Sequence, residues 1–177
     1  MATKSQRPVT PSAAGSSPVA SQALLVVLRG LGQVMFQRNA LTGVLFLAGM
    51  AIASPWLAAG AALGGVIGPL VAAALRFPHA DIDDGIYGYN SALVGAAAAA
   101  LLPPTMMTWG LAVVAAALAA PLTWLLRRQL HFPTYTTSFV LATWGMLLTA
   151  GLLGDKPLPP PAPAVIKPGW EGVADEI

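Results

Sequence analysis

The chain contains no cysteine, which excludes disulfide staples and thiolate metal sites at the outset. Charge is nearly as scarce. Only 9% of its 177 residues are Asp, Glu, Lys or Arg, against about 25% in an ordinary soluble domain, so water is excluded as its main solvent. The two histidines, His79 and His131, stand far apart with no other ligand spacing around them, and no metal is expected. The basic surplus is small as well. A pI near 9.3 rests on a formal net charge of +2, with no basic stripe interleaved with aromatics, so nucleic acid is not an expected partner. No nucleophile, base and orienter set, no phosphate loop and no cofactor motif occurs, so neither an enzyme nor a cofactor is expected.

What is abundant is apolar material: 56% of the residues are hydrophobic, gathered in long blocks rich in Ala, Leu, Gly and Val. A hydrocarbon core about 30 Å thick takes roughly 20 apolar residues in a helix. Residues 41–75 contain no charge at all, enough for two passes with a turn at Ser54-Pro55-Trp56. Residues 86–102, 105–126 and 134–153 supply three more, separated by Pro103-Pro104 and Arg127-Arg128. Residues 23–36 are interrupted by Arg29 and suit a short amphipathic or re-entrant helix; they make a poor cleaved signal for the same reason. The expected fold is therefore an all-α integral membrane protein with about five transmembrane helices and one short re-entrant or amphipathic helix. Residues 1–20 are expected to form a disordered tail, 21–154 the membrane domain, and 155–177 a Pro-rich tail. Gly60, Gly64, Gly65 and Gly68, with the small residues of 95–100, are placed to let helix backbones approach closely.

If residues 23–36 do not cross, Lys4, Arg7, Arg29, Arg38, Arg76, Arg127 and Arg128 fall on one side, and Lys156 and Lys167 on the other. The cationic side faces the cytoplasm, so a cytoplasmic N-terminus is expected.

Polar groups at membrane depth are costly unless paired or lining a wet path, so function is sought there. Three clusters qualify: Gln33-Val34-Met35-Phe36 followed by Asn39-Ala40-Leu41-Thr42-Gly43; residues 81–95; and Phe132-Pro133-Thr134-Tyr135-Thr136-Thr137-Ser138-Phe139. In the second, Gly85 and Gly88 permit irregular backbone, and Asn90 or Ser91 offers a helix cap. Two readings stand side by side: a helix broken at depth beside a permeation site, or an interfacial turn with Tyr87 and Tyr89 in an aromatic belt. The acidic run Asp81, Asp83 and Asp84 reads as a solvated loop, and Arg127 and Arg128 as determinants of topology. The hydroxyls of Thr134, Thr136, Thr137 and Ser138 either face a permeant or bond back to their own helix.

Gly85-Ile86-Tyr87-Gly88-Tyr89-Asn90-Ser91-Ala92-Leu93-Val94-Gly95 resembles the urea transporter motif GLYGYNxxLVG. Gly32-Gln33-Val34-Met35-Phe36 and then 39–43 resemble that family's GQVxF followed by NPxxG, and 133–139 its PxxTxPF. Ala40 and Ser138 stand where the family usually has proline. The order of the motifs extends the resemblance over about residues 22–175, as one repeat of the urea transporter fold corresponding to the N-terminal half. The resemblance implies a passive channel in a bacterial inner membrane. In it urea passes a narrow pore, with Phe36, Tyr89 and Leu93 as slot walls, Gln33 and Thr136 as polar groups along the path, and Val34 beside it. It also implies that two repeats of opposite topology enclose the pore and that subunits form trimers. The expected partners are thus urea, membrane lipid, and further copies or a complementary second repeat. Residues 168–177 look like the lead-in to such a repeat, so a split or truncated version is expected. Two alternatives are a non-conducting half-transporter and a channel for another small neutral solute such as ammonia or a short amide.

Overall fold

Ser54 ends one helix and begins the next. Its N–H donates to the Met50 carbonyl at 2.8 Å, its hydroxyl accepts from the Leu57 N–H at 3.3 Å, and Pro55 takes the first helical position. This cap-and-proline pair folds the uncharged run 41–75 into a helical hairpin at the expected place.

The computed structural model describes residues 19–131 and 133–159. Among these it is all-α, without a strand: α1 (Val19–Gln33), α2 (Ala40–Ala53), α3 (Pro55–Ala74), a short α4 (His79–Asp83), α5 (Gly88–Leu101), α6 (Met106–Gln129) and α7 (Thr137–Leu152). The expected N-terminal tail lies outside the described residues except at its last two positions, and so does most of 155–177.

Two helices, α3 with 20 residues and α6 with 24, are long and apolar enough to cross a membrane by length and composition. At 1.5 Å per residue, the 14 to 16 residues of α2, α5 and α7 reach only about 21–24 Å. Several boundaries also differ from the sequence expectation. Arg127 and Arg128 do not separate two elements; they form the last turn of α6, where arginine continues a helix well and its charge complements the helix dipole. Helix α5 is not capped by Asn90 or Ser91. Tyr87 holds the N-cap position with no side-chain cap bond, and both polar residues lie inside the helix, fully buried. Their side chains bond across to neighbouring helices: Ser91 Oγ donates to the Ala116 carbonyl at 2.8 Å, and Asn90 reaches Thr123.

The sorting of side chains by size shows what solvent the fold is built for. The largest buried cluster is mostly alanine, with Val94, Leu102 and Met146, drawn from α5, α6 and α7. Large apolar side chains lie outside: Ile52 and Leu152 are each 89% exposed, and Met106, Trp144 and Leu148 are exposed too. Water would penalise that arrangement, whereas lipid tails are as apolar as leucine and leave close packing of small residues to hold the helices together. The most extensive helix contact among the described residues is α3 on α5. A methyl group added at Gly60, Gly64 or Gly68, one turn apart, would overlap backbone oxygens of Gly95, Ser91 and Tyr87 respectively. Gly65 points instead toward Val27 and Leu31 of α1 at ordinary contact distance.

Candidate functional site

The ends of α1, α3 and α6 and the starts of α2, α5 and α7 gather at one end of the bundle. After Gln33 the chain makes a tight turn, with Met35 N–H donating to the Gly32 carbonyl and Phe36 N–H to that of Gln33, each at 2.9 Å. Phe36 adopts a positive φ of 55°, unfavourable for a side chain with a Cβ, before Asn39 caps α2 by accepting from the Leu41 N–H at 2.8 Å. The turn swings the Phe36 ring out of the helix pair, 71% exposed.

Gln33 is fixed from the other side. Its Nε2 donates to the Asp84 backbone carbonyl at 3.0 Å, leaving Oε1 as the acceptor of that side chain. Arg29 donates to the neighbouring Asp83 carbonyl at 3.0 Å, and Arg38 pairs with the Asp84 carboxylate at 2.8 Å. Gly85, at φ 78°, lets this loop lie directly on the α1 backbone at Arg29 and Gly30, where any Cβ would collide.

The segment before α7 closes the site. Tyr135 also has a positive φ, 37°, which presents its carbonyl to α5. The Tyr89 hydroxyl donates a short hydrogen bond to that oxygen, and Asn90 Nδ2 donates to it at 3.3 Å and to Thr123 Oγ1 at 3.1 Å. Thr123 passes its own proton to the Ala119 carbonyl at 2.8 Å. The Tyr135 ring meets Phe36 edge to face, with centroids 5.7 Å apart.

These elements enclose a cleft of about 510 Å³, lined among others by Gln33, Phe36, Ile86, Tyr89, Thr134 and Tyr135. The matching family profile is that of the urea transporters, over residues 24–171. The chain belongs to the urea transporter family. It is 40% identical over 78 residues to urea transporter 1 of sheep (Ovis aries), goat (Capra hircus) and rat (Rattus norvegicus). That segment is 44% of this chain and spans only 20% of each relative's length. Family members are membrane proteins, in keeping with the size sorting of the side chains.

Of the urea transporter positions singled out in the sequence, Gln33, Phe36 and Tyr89 line the cleft together. Val34, Leu93 and Thr136 do not line it. Leu93 lies one turn beyond Tyr89 on α5, half-buried, and Thr136 occupies the N-cap position of α7 without a side-chain cap bond. Thr134, whose hydroxyl the sequence left between a permeant and its own helix, lines it too, as do Tyr135, Arg127 and His131, which sequence reasoning gave no place in the path. For Tyr135 the only signal was an aromatic among threonines; its left-handed backbone is not announced by the residue type. Arg127 was hidden by its more obvious part in topology.

Proposed function

We propose that this protein carries urea across a bacterial inner membrane by passive, channel-type permeation, and that the Gln33 cleft forms part of the path. The orientation of the Gln33 amide carries the reading. With Nε2 engaged by the Asp84 carbonyl, the side chain meets a solute through Oε1, an acceptor, beside the rings of Phe36, Tyr89 and Tyr135. Urea is planar and carries N–H donors on both nitrogens. Stripped of water, each donor left unpaired costs a few kcal/mol, so a path for urea needs oxygen acceptors between flat apolar walls. Thr134 offers a hydroxyl in the same cleft, and Thr136 and Leu93 extend the wall and acceptor series along the path. Uncharged acceptors give ions little to hold. Binding and passage of this kind involve no bond making, and the chain acts as a transporter, not as an enzyme.

The working arrangement comprises about five spans with a re-entrant α1, a cytoplasmic N-terminus, and assembly with further copies or a complementary second repeat. A second reading, a half-transporter that does not conduct by itself, is favoured by the Phe36 ring. A slot wall that is 71% uncovered, touched by the Tyr135 ring only edge to face, is left without a stacked opposing wall among the described residues.

Urea efflux from proteoliposomes, followed by stopped-flow light scattering, tests both. The expected result is efflux above protein-free liposomes that falls several-fold in Phe36→Ala and in Thr136→Val. Efflux equal to that of empty liposomes, from protein shown to be folded and inserted, supports the half-transporter. If flux is also missing with a complementary repeat co-reconstituted, the urea reading is wrong; efflux of ammonia or acetamide in place of urea points to the other small solutes.

A further inference from the structure

The cleft has one lining residue that is always charged, and it is cationic. Arg127, in the last turn of α6, lines the cleft and also a second hollow of about 220 Å³ on its other side, shared with Asp81, Tyr87 and Trp124. Among the described residues its one ion pair is loose, Nη2 to Asp81 Oδ1 at 3.6 Å, and that carboxylate lines the second hollow, not the cleft. The two neighbouring acids, Asp83 and Asp84, do not line the cleft. Asp84 gives its carboxylate to Arg38, and what Asp84 and Asp83 present to Gln33 and Arg29 are backbone carbonyls. His131, which also lines the cleft, is never negative. At this end of the bundle Arg29, Arg38, Arg76, Arg127 and Arg128 face Asp81, Asp83 and Asp84, so the imbalance is not cancelled locally.

We propose that Arg127 is a specificity-determining residue. It holds the cleft at a positive potential that turns away small planar cations of urea's own shape, guanidinium above all, while neutral amides pass. Guanidinium and urea share size, planarity and N–H donors, so the aromatic walls and the Gln33 oxygen accept either one. Charge is the property left to tell them apart, and a fixed cation beside a low-dielectric wall acts on it directly. The inference rests on the urea reading for its purpose, but the potential can be measured without any flux.

Because the chain has no native cysteine, Ile86→Cys places a single thiol in the cleft. Its modification rates with an anionic (sulfonatoethyl) and a cationic (trimethylammonioethyl) methanethiosulfonate are compared at low salt. The anionic reagent is expected to be favoured, and the ratio to fall on the order of tenfold when Arg127→Gln is added. Arg127→Lys should retain the ratio, and Asp81→Asn, which removes the counter-charge, should raise it. A thiol at Leu152, at the opposite end of the bundle, should not respond. A ratio that ignores both Arg127→Gln and Asp81→Asn overturns the proposal even if urea flux is found. In liposomes that show urea efflux, Arg127→Gln should then raise guanidinium permeability several-fold relative to that of urea; continued exclusion of guanidinium there would also overturn it. Absence of urea flux from this chain alone supports the half-transporter reading, and the proposal on Arg127 is then decided by the rate ratio, which stands apart from flux.

Discussion

The Tyr135 carbonyl receives donors from two consecutive residues of α5, and the two differ in what they leave behind when removed. Tyr89→Phe deletes the hydroxyl donor but keeps the ring in the cleft, and Asn90 Nδ2 still serves the same oxygen at 3.3 Å. The expected cost is about 0.5–1.5 kcal/mol, that of one hydrogen bond. Asn90→Ala removes a fully buried amide that holds both Tyr135 and Thr123, at 3.3 and 3.1 Å. It should cost about 1–3 kcal/mol, because Thr123 Oγ1 is left in the interior without its donor, while the Tyr135 carbonyl keeps Tyr89. Thermal unfolding in detergent, read side by side for the two variants, checks the order, and a larger loss in Tyr89→Phe would contradict it. Sequence reasoning reached Gln33, Phe36 and Tyr89 through the match to the urea transporter motifs, since each side chain alone reads as packing, and the three line one cleft. It took Asn90 for a cap, since Asn at a helix start usually is one, and nothing local revealed that Thr123, 33 positions away, would take its amide. Tyr135 stayed unassigned because its contribution lies in a backbone carbonyl, which every residue possesses.

At the scale of the helices, the contact of α3 with α5 is governed by spacing. Gly60, Gly64 and Gly68 recur every four residues on one face of α3 and take the backbone of α5 directly. The same substitution should therefore have opposite effects at two glycines. Gly64→Ala pushes a methyl into the Ser91 carbonyl oxygen and should destabilise by about 1–3 kcal/mol, as overpacking does. Gly110→Ala, in α6 with nothing within 4 Å of the added carbon, should cost nothing and gain up to about 1 kcal/mol of helix propensity. Midpoints of detergent unfolding that shift the same way for both would show that the contact is looser than described. The glycine spacing was legible in the sequence, as was the Ser54-Pro55 hairpin, because both depend on a local pattern. Helix ends were less so. An uncharged block shows where a chain can be buried, not where its hydrogen bonds stop. Arg127 and Arg128 therefore read as a boundary although the helix runs through them to Gln129. Pro69 and Pro121, inside α3 and α6, likewise interrupt the donor ladder without ending the helix.

For the whole molecule the decisive quantity is how charge divides between the two ends. Five arginines gather with the cleft at one end, whereas Lys156, beyond α7, lies at the other. On the proposed topology a bias of that size favours one orientation, with the cationic end toward the cytoplasm, since cytoplasmic loops retain Lys and Arg. This bears on how the proposed slot, with its Phe36 ring uncovered, would be completed. A second copy of the chain lying antiparallel to the first would supply the missing wall only if the protein inserts both ways, and dual insertion requires near-balanced ends. The charge distribution argues for a complementary partner of opposite topology and against an antiparallel copy. The absence of cysteine makes this directly measurable. Gln129→Cys, at the exposed end of α6, should react with a membrane-impermeant maleimide only after cells are permeabilised, and Lys156→Cys should react in intact cells. Labelling of both sites in intact cells would show two populations of opposite orientation, and the antiparallel pair would become the better account of how the slot is closed.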